Sequence, residues 1–104
     1  MRPPSSVRPF PTEPHHGNID WIEEDNERNR QKFGIDFEDI ISGFAKPHVR
    51  LLLRAPDDFI VLIEVRGVIF ETRCRFDMHL IITAARVAKD HAKTTYRQTL
   101  SQSD

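Results

Sequence analysis

The chain has 104 residues, a formal net charge of −1 and a single cysteine, which is one domain's length with a modest core. A lone Cys74 excludes an internal disulfide and suits a reducing compartment. No leader-like apolar segment and no apolar run near the ~20 residues of a membrane span is present, so a cytoplasmic protein without membrane contact is expected.

Residues 1–18 hold Pro3, Pro4, Pro9, Pro11 and Pro14 and almost no aliphatic side chains. Such a segment buries too little apolar surface to offset its ordering entropy, so a mobile proline-rich tail is expected. The folded domain is expected over 19–98, with a flexible C-terminus over 99–104. So small a core makes a protein partner or a second copy a natural source of extra burial.

Asp20-Trp-Ile-Glu23 fits a helix start, with a carboxylate at the N-cap and a glutamate three residues on. The helix runs to Phe33, and Gly34 suits the position past its end, where φ turns positive. Asp36 caps a second short helix carrying Phe37, Ile40, Ile41 and Phe44 at core spacing, which Lys46-Pro47 ends.

The period then changes. Val49, Leu51 and Leu53 alternate with His48, Arg50 and Arg54, Ala55–Asp58 signals a turn, and an apolar run follows over Phe59–Val65. Arg66-Gly67 reads as a tight connection into a strand alternating Val68, Phe70, Thr72, Cys74 and Phe76 with Ile69, Glu71, Arg73 and Arg75. A fourth strand is expected from about Met78 to Thr83. Residues 84–98 return to helical spacing, with Ala84, Ala88, Ala92 and Tyr96 on one stripe and Arg86, Asp90, Lys93 and Arg97 on another. The expectation is an α+β fold: two N-terminal helices, a four-stranded antiparallel meander and a C-terminal helix, packed as a two-layer sandwich.

The five histidines (15, 16, 48, 79 and 91) are scattered without ligand spacing, and neither a glycine-rich phosphate loop nor a nucleophile elbow is present. No metal or cofactor is therefore expected. Residues 20–40 carry eight acids against three bases, whereas from 41 onward ten bases meet seven acids. Either this is an acidic helix on a mixed-charge domain, or the later arginines converge on a polyanion. Arg73 and Arg75, two apart in a strand, project from one face together with Glu71. That face is either a solvated surface with an internal ion pair or a phosphate platform, since guanidinium groups grip phosphate oxygens bidentately. Arg86 either pairs with Asp90 on a helix or faces the sheet. The charge near −1 argues against a third reading, nonspecific nucleic-acid binding without cleavage.

Trp21, Asn29, Lys32, Gly34 and Phe37-Glu38, with Phe44-Ala-Lys-Pro47 and Ala84-Ala-Arg-Val-Ala88 further on, resemble the BrnT family of bacterial type II toxins. The resemblance covers about residues 19–97 in the same order of elements. It implies a RelE-like fold and a metal-independent endoribonuclease that inhibits translation and is neutralised by a cognate antitoxin, in a toxin–antitoxin hetero-oligomer or a homo-oligomer. On that resemblance Arg73, Arg75, Arg86 and His79 are the candidate catalytic residues, and Lys32 and Asn29 the RNA-binding ones. Phe33 stands where the family usually has histidine, Asp25 where it usually has lysine, and His79 and Ile81 where arginines are usual. These departures imply an alternative, a catalytically weakened toxin-like module that binds a protein partner such as a DNA-binding antitoxin.

Overall fold

The computed structural model describes residues 9–52 and 58–101. The elements in chain order are β1 (Pro9–Thr12), β2 (Ile19–Trp21), α1 (Glu23–Phe33), α2 (Phe37–Ile40), a 3-10 turn (Ile41–Ala45), β3 (His48–Leu52), β4 (Asp58–Val65), β5 (Val68–Asp77), β6 (His79–Val87) and α3 (Asp90–Ser101). The class is α+β as expected, but the sheet has six strands rather than four, in the order β1-β3-β4-β5-β6-β2. The four expected strands form the antiparallel meander β3 to β6.

Two short strands are added at the edges. β1 lies inside the segment expected to be a mobile tail and pairs antiparallel with β3. The same segment continues onto the body, where the His15 N–H donates to the Phe44 carbonyl at 2.8 Å. β2 pairs parallel with the first residues of β6. Asp20 therefore sits in a strand, and the start of α1 falls to Ile22, which offers no side-chain cap. Glu23, Glu24 and Asp25 in the first turn complement the positive end of the helix dipole instead.

Other local expectations hold. Gly34 ends α1 at φ 72, and the Asp36 carboxylate accepts from the Glu38 N–H. Arg66 and Gly67 both have positive φ, as a two-residue hairpin with the sheet's own twist requires. Leu53, Arg54, most of the Ala55–Asp58 turn, tail residues 1–8 and residues 102–104 lie outside the described residues. Residues 99–101, expected to be flexible, continue α3.

The sheet is covered on both faces, so the molecule has three layers rather than two. On one face Phe59, Val61 and Ile63 of β4 meet Phe37, Ile40 and Phe44. Gly43 packs so close there that a Cβ on it would lie 2.9 Å from that of Ile63. On the other face Leu62 and Val49 meet Ala88 and Tyr96. The helix on that face, α3, packs mainly on β1, β3 and β4, which leaves most of β5 and β6 there only partly covered. No helix among the described residues is long and apolar enough to cross a membrane.

His48 is fully buried on β3, with its Nδ1 donating to the Lys46 carbonyl at 2.7 Å. Burial pushes its pKa below the ordinary imidazole value, with the nearby Arg50 charge acting in the same direction. Below about pH 6.5 the unfolded chain then binds a proton that the folded chain resists, so stability is complete above that pH and lost as pH falls through it. Thermal unfolding followed between pH 7.5 and 5.5 is expected to show a falling midpoint, and His48→Gln is expected to flatten the slope. Parallel slopes for the two proteins would sink the assignment.

Candidate functional site

The strand register decides which charged groups meet. Glu71, Arg73 and Arg75 of β5 share the face on which α3 packs, since Phe70, Thr72 and Cys74 turn into the core beside Ile63, Val61 and Phe59. On β6 simple alternation from the buried Leu80 and Ile82 would carry Arg86 to the opposite face. A bulge intervenes: Arg73 pairs with Ala84, but Cys74 pairs with Ile82, leaving Thr83 as the additional residue. Its hydroxyl donates to the Arg73 carbonyl at 3.1 Å. One extra residue inverts the parity, so Ala85 enters the core and Arg86 joins Glu71 and Arg73.

Arg86 is thus a strand residue and not the helical partner of Asp90. Its Nη2 donates to Glu71 Oε2 at 3.2 Å across the ladder. The Lys89 N–H donates to the other Glu71 oxygen at 3.4 Å. Of the two sequence readings, the internal ion pair is present, between Glu71 and Arg86.

Three cavities adjoin here. One of about 280 Å³ is walled by Lys32, Phe33, Glu71, Arg73 and Arg86. A second, about 270 Å³, lies between sheet and α3 and adds Lys89 and His91 while sharing Glu71 and Arg86 with the first. A third, about 210 Å³, shares Lys32 and Phe33 and adds Arg28 and Asp25. Through these shared walls the cavities follow one another from the start of α3 to the end of α1, and are called the groove below.

Of the residues singled out from the sequence, Lys32, Arg73 and Arg86 wall the first cavity together. Arg75 is one ladder step toward the hairpin end, with its Nε buried and without a hydrogen-bond partner among the described residues. His79 is opposite Asp77 beside the hairpin tip, four positions from Arg73 or about 13 Å along the strand at about 3.3 Å per residue. It lines none of the three cavities. Asn29 is buried, with both ends of its amide occupied by backbone groups: Nδ2 donates to the Ile35 carbonyl and Oδ1 accepts from the Ala85 N–H, each at 3.0 Å. Asn26 does similar work one turn earlier, accepting from the Phe37 N–H and donating to Asp36. Asp36 is held below the usual carboxylate range by the Glu38 N–H first, then by Asn26 and Arg30.

Sequence reasoning missed Glu71 as more than a pairing partner, and missed Lys89 and His91 altogether. Glu71 had a visible signal, its parity with Arg73. His91 had none, because its place depends on where β6 ends. The three cavities together are lined by two carboxylates, Glu71 and Asp25, by the His91 imidazole and by five side-chain cations, Arg28, Lys32, Arg73, Arg86 and Lys89. Cys74 is no nucleophile here, since burial pushes its thiol up to about 12. Among the described residues no group of three or more His, Cys, Asp or Glu is placed to hold a metal ion. The chain matches no family model, no curated protein and no solved structure.

Proposed function

We propose that the chain is the toxin component of a type II toxin–antitoxin system, a RelE-like endoribonuclease neutralised by a protein antitoxin. The observation that carries the reading is the cavity wall on which Lys32, Arg73 and Arg86 surround Glu71. Cleavage by the ribose 2′-hydroxyl forms a bond from the 2′-oxygen to phosphorus and breaks the bond to the 5′-oxygen, leaving a 2′,3′-cyclic phosphate. The proton of the attacking hydroxyl passes to the Glu71 carboxylate, and the departing 5′-oxygen takes one from His91, the imidazole that shares a cavity with Arg86. Arg86, Arg73 and Lys32 hold the nonbridging oxygens as charge grows on them. The resemblance to BrnT toxins supplies the antitoxin and the translational target.

Expression of the wild-type chain in bacteria is expected to arrest growth and fragment cellular RNA. Arg73→Ala and Arg86→Ala are each expected to relieve both. Soluble wild-type protein that leaves growth and RNA intact overturns the reading. A second reading, a protein-binding module without activity, is favoured by Phe76 at 54% and Met78 at 85% exposure. Both lie at the hairpin tip, away from the groove. Capture of an antitoxin by an RNA-inert wild type, lost in Phe76→Ser, is its expected signature.

A further inference from the structure

Phe33 is the last residue of α1, and the left-handed Gly34 turns the chain away directly after it, so the ring stands at the helix end. The ring is 38% exposed and walls two of the three adjoining cavities. The Lys32 ammonium lies 5.2 Å from its centroid.

The charges around it are unequal in what they can offer a ligand. Asp25 and Arg28 are committed to each other at 2.9 Å, and Glu71 to Arg86 at 3.2 Å. Lys32 has no carboxylate partner among the described residues, and Arg73 meets Asp58 only at 3.9 Å. An exposed aromatic ring is therefore flanked by two cations whose charge is largely unspent. An apolar partner alone would leave both cations without a counter-charge. A flat ring carried on an anionic backbone answers both features.

We propose that the groove takes single-stranded RNA, with one unpaired base stacked on Phe33 and the adjoining phosphates held by Lys32 and Arg73. The assignment rests on the RNA reading of the groove and adds the strandedness of the substrate and its aromatic contact. A paired base has no open face to give the ring, so duplex RNA is discriminated against. Every base offers a π-face, so the stack carries little sequence preference at that nucleotide.

The test is a titration of the full chain into a single-stranded 2′-O-methyl RNA oligonucleotide of about eight nucleotides, within the usual footprint of such grooves. The methylated 2′-oxygen cannot attack, which blocks cleavage, and one 2-aminopurine reports stacking through quenched fluorescence. Wild type is expected to bind and quench. Phe33→Ala is expected to weaken binding about 10-fold and abolish the quench, whereas Phe33→Tyr retains both. Lys32→Ala is expected to weaken binding and reduce its salt dependence by about one counterion. The complementary duplex is expected to bind about 10-fold more weakly or worse. Binding unchanged in Phe33→Ala, or binding without quench in wild type, overturns the stacking assignment alone. Wild type that binds no oligonucleotide at low salt overturns the RNA reading and the stacking assignment together. Since Phe33 is exposed, an unchanged melting temperature in Phe33→Ala confirms that a weakened complex reflects the contact and not the fold.

Discussion

Asn29→Ala is expected to lower the unfolding midpoint by roughly 10 °C or more. β2 pairs with β6 only as far as Ile82. Past the Thr83 bulge the outer edge of β6 has no neighbouring strand among the described residues, and without a side-chain acceptor the Ala85 N–H, in a residue 2% exposed, would be buried without a partner. Asn29 Oδ1 supplies that partner at 3.0 Å, while its Nδ2 satisfies the Ile35 carbonyl between α1 and α2. Removing the amide strands both groups, at about 1–3 kcal/mol each. For a domain of this size each kcal/mol moves the midpoint by about 4–8 °C. Asn29→Asp keeps the acceptor for Ala85 and loses only the donor, so an intermediate loss is expected. Arg28→Ala, on the exposed side of the same helix, is expected to shift the midpoint by no more than a few degrees, since an exposed pair contributes about 0–1 kcal/mol. Calorimetry or circular dichroism reads all three, and an Asn29→Ala midpoint within the Arg28→Ala range would refute the edge-capping account.

Glu71→Gln is expected to reduce RNA cleavage by about 100-fold or more, the range lost when a positioned proton acceptor is removed. Glutamine is nearly the same shape and its oxygen still accepts from the Lys89 N–H or from Arg86. The fold should therefore persist with a small stability change. Binding of the uncleavable oligonucleotide should hold or tighten, since a negative charge leaves the groove. A merely structural Glu71 would show the reverse pattern, lower stability with cleavage per folded molecule intact. Cleavage by Glu71→Gln at wild-type rate would remove Glu71 from the mechanism while leaving the cation wall standing.

The alternating runs of β3 and β5 were legible because a period of two is hard to produce otherwise, and β4 was legible as a continuous apolar run, buried on both faces of the sheet. Gly34 and Asp36 were legible for a local reason, since a left-handed residue and a carboxylate cap depend on their immediate neighbours. β1 was not, as a strand with Pro9 and Pro11 reads as a tail. Prolines two apart lack N–H groups on one side of the strand only, and an edge strand can leave that side unpaired. Nor was β2, three residues long, since its partner β6 lies about sixty residues later. Ala84-Ala-Arg-Val suggested a helix through good helix formers, but pairing with Phe70–Arg73 holds those residues in β6 and delays α3 to Asp90.

The candidate site divides along the same line. That Arg73 shares a face with Glu71 follows from their spacing alone, whatever the rest of the chain does. That Arg86 joins them depends on one extra residue at Thr83, which inverts the parity of β6 and which no spacing in the sequence announces. That Lys32 and Phe33 reach the same wall depends on Asn29 docking the end of α1 against the uncovered edge of β6. The sequence by itself determined the four strands of the meander in outline, the turn at Arg66-Gly67 and the shared face of Glu71, Arg73 and Arg75. The tertiary structure decided which residues share a groove, because register, bulge and helix docking are set by partners distant along the chain.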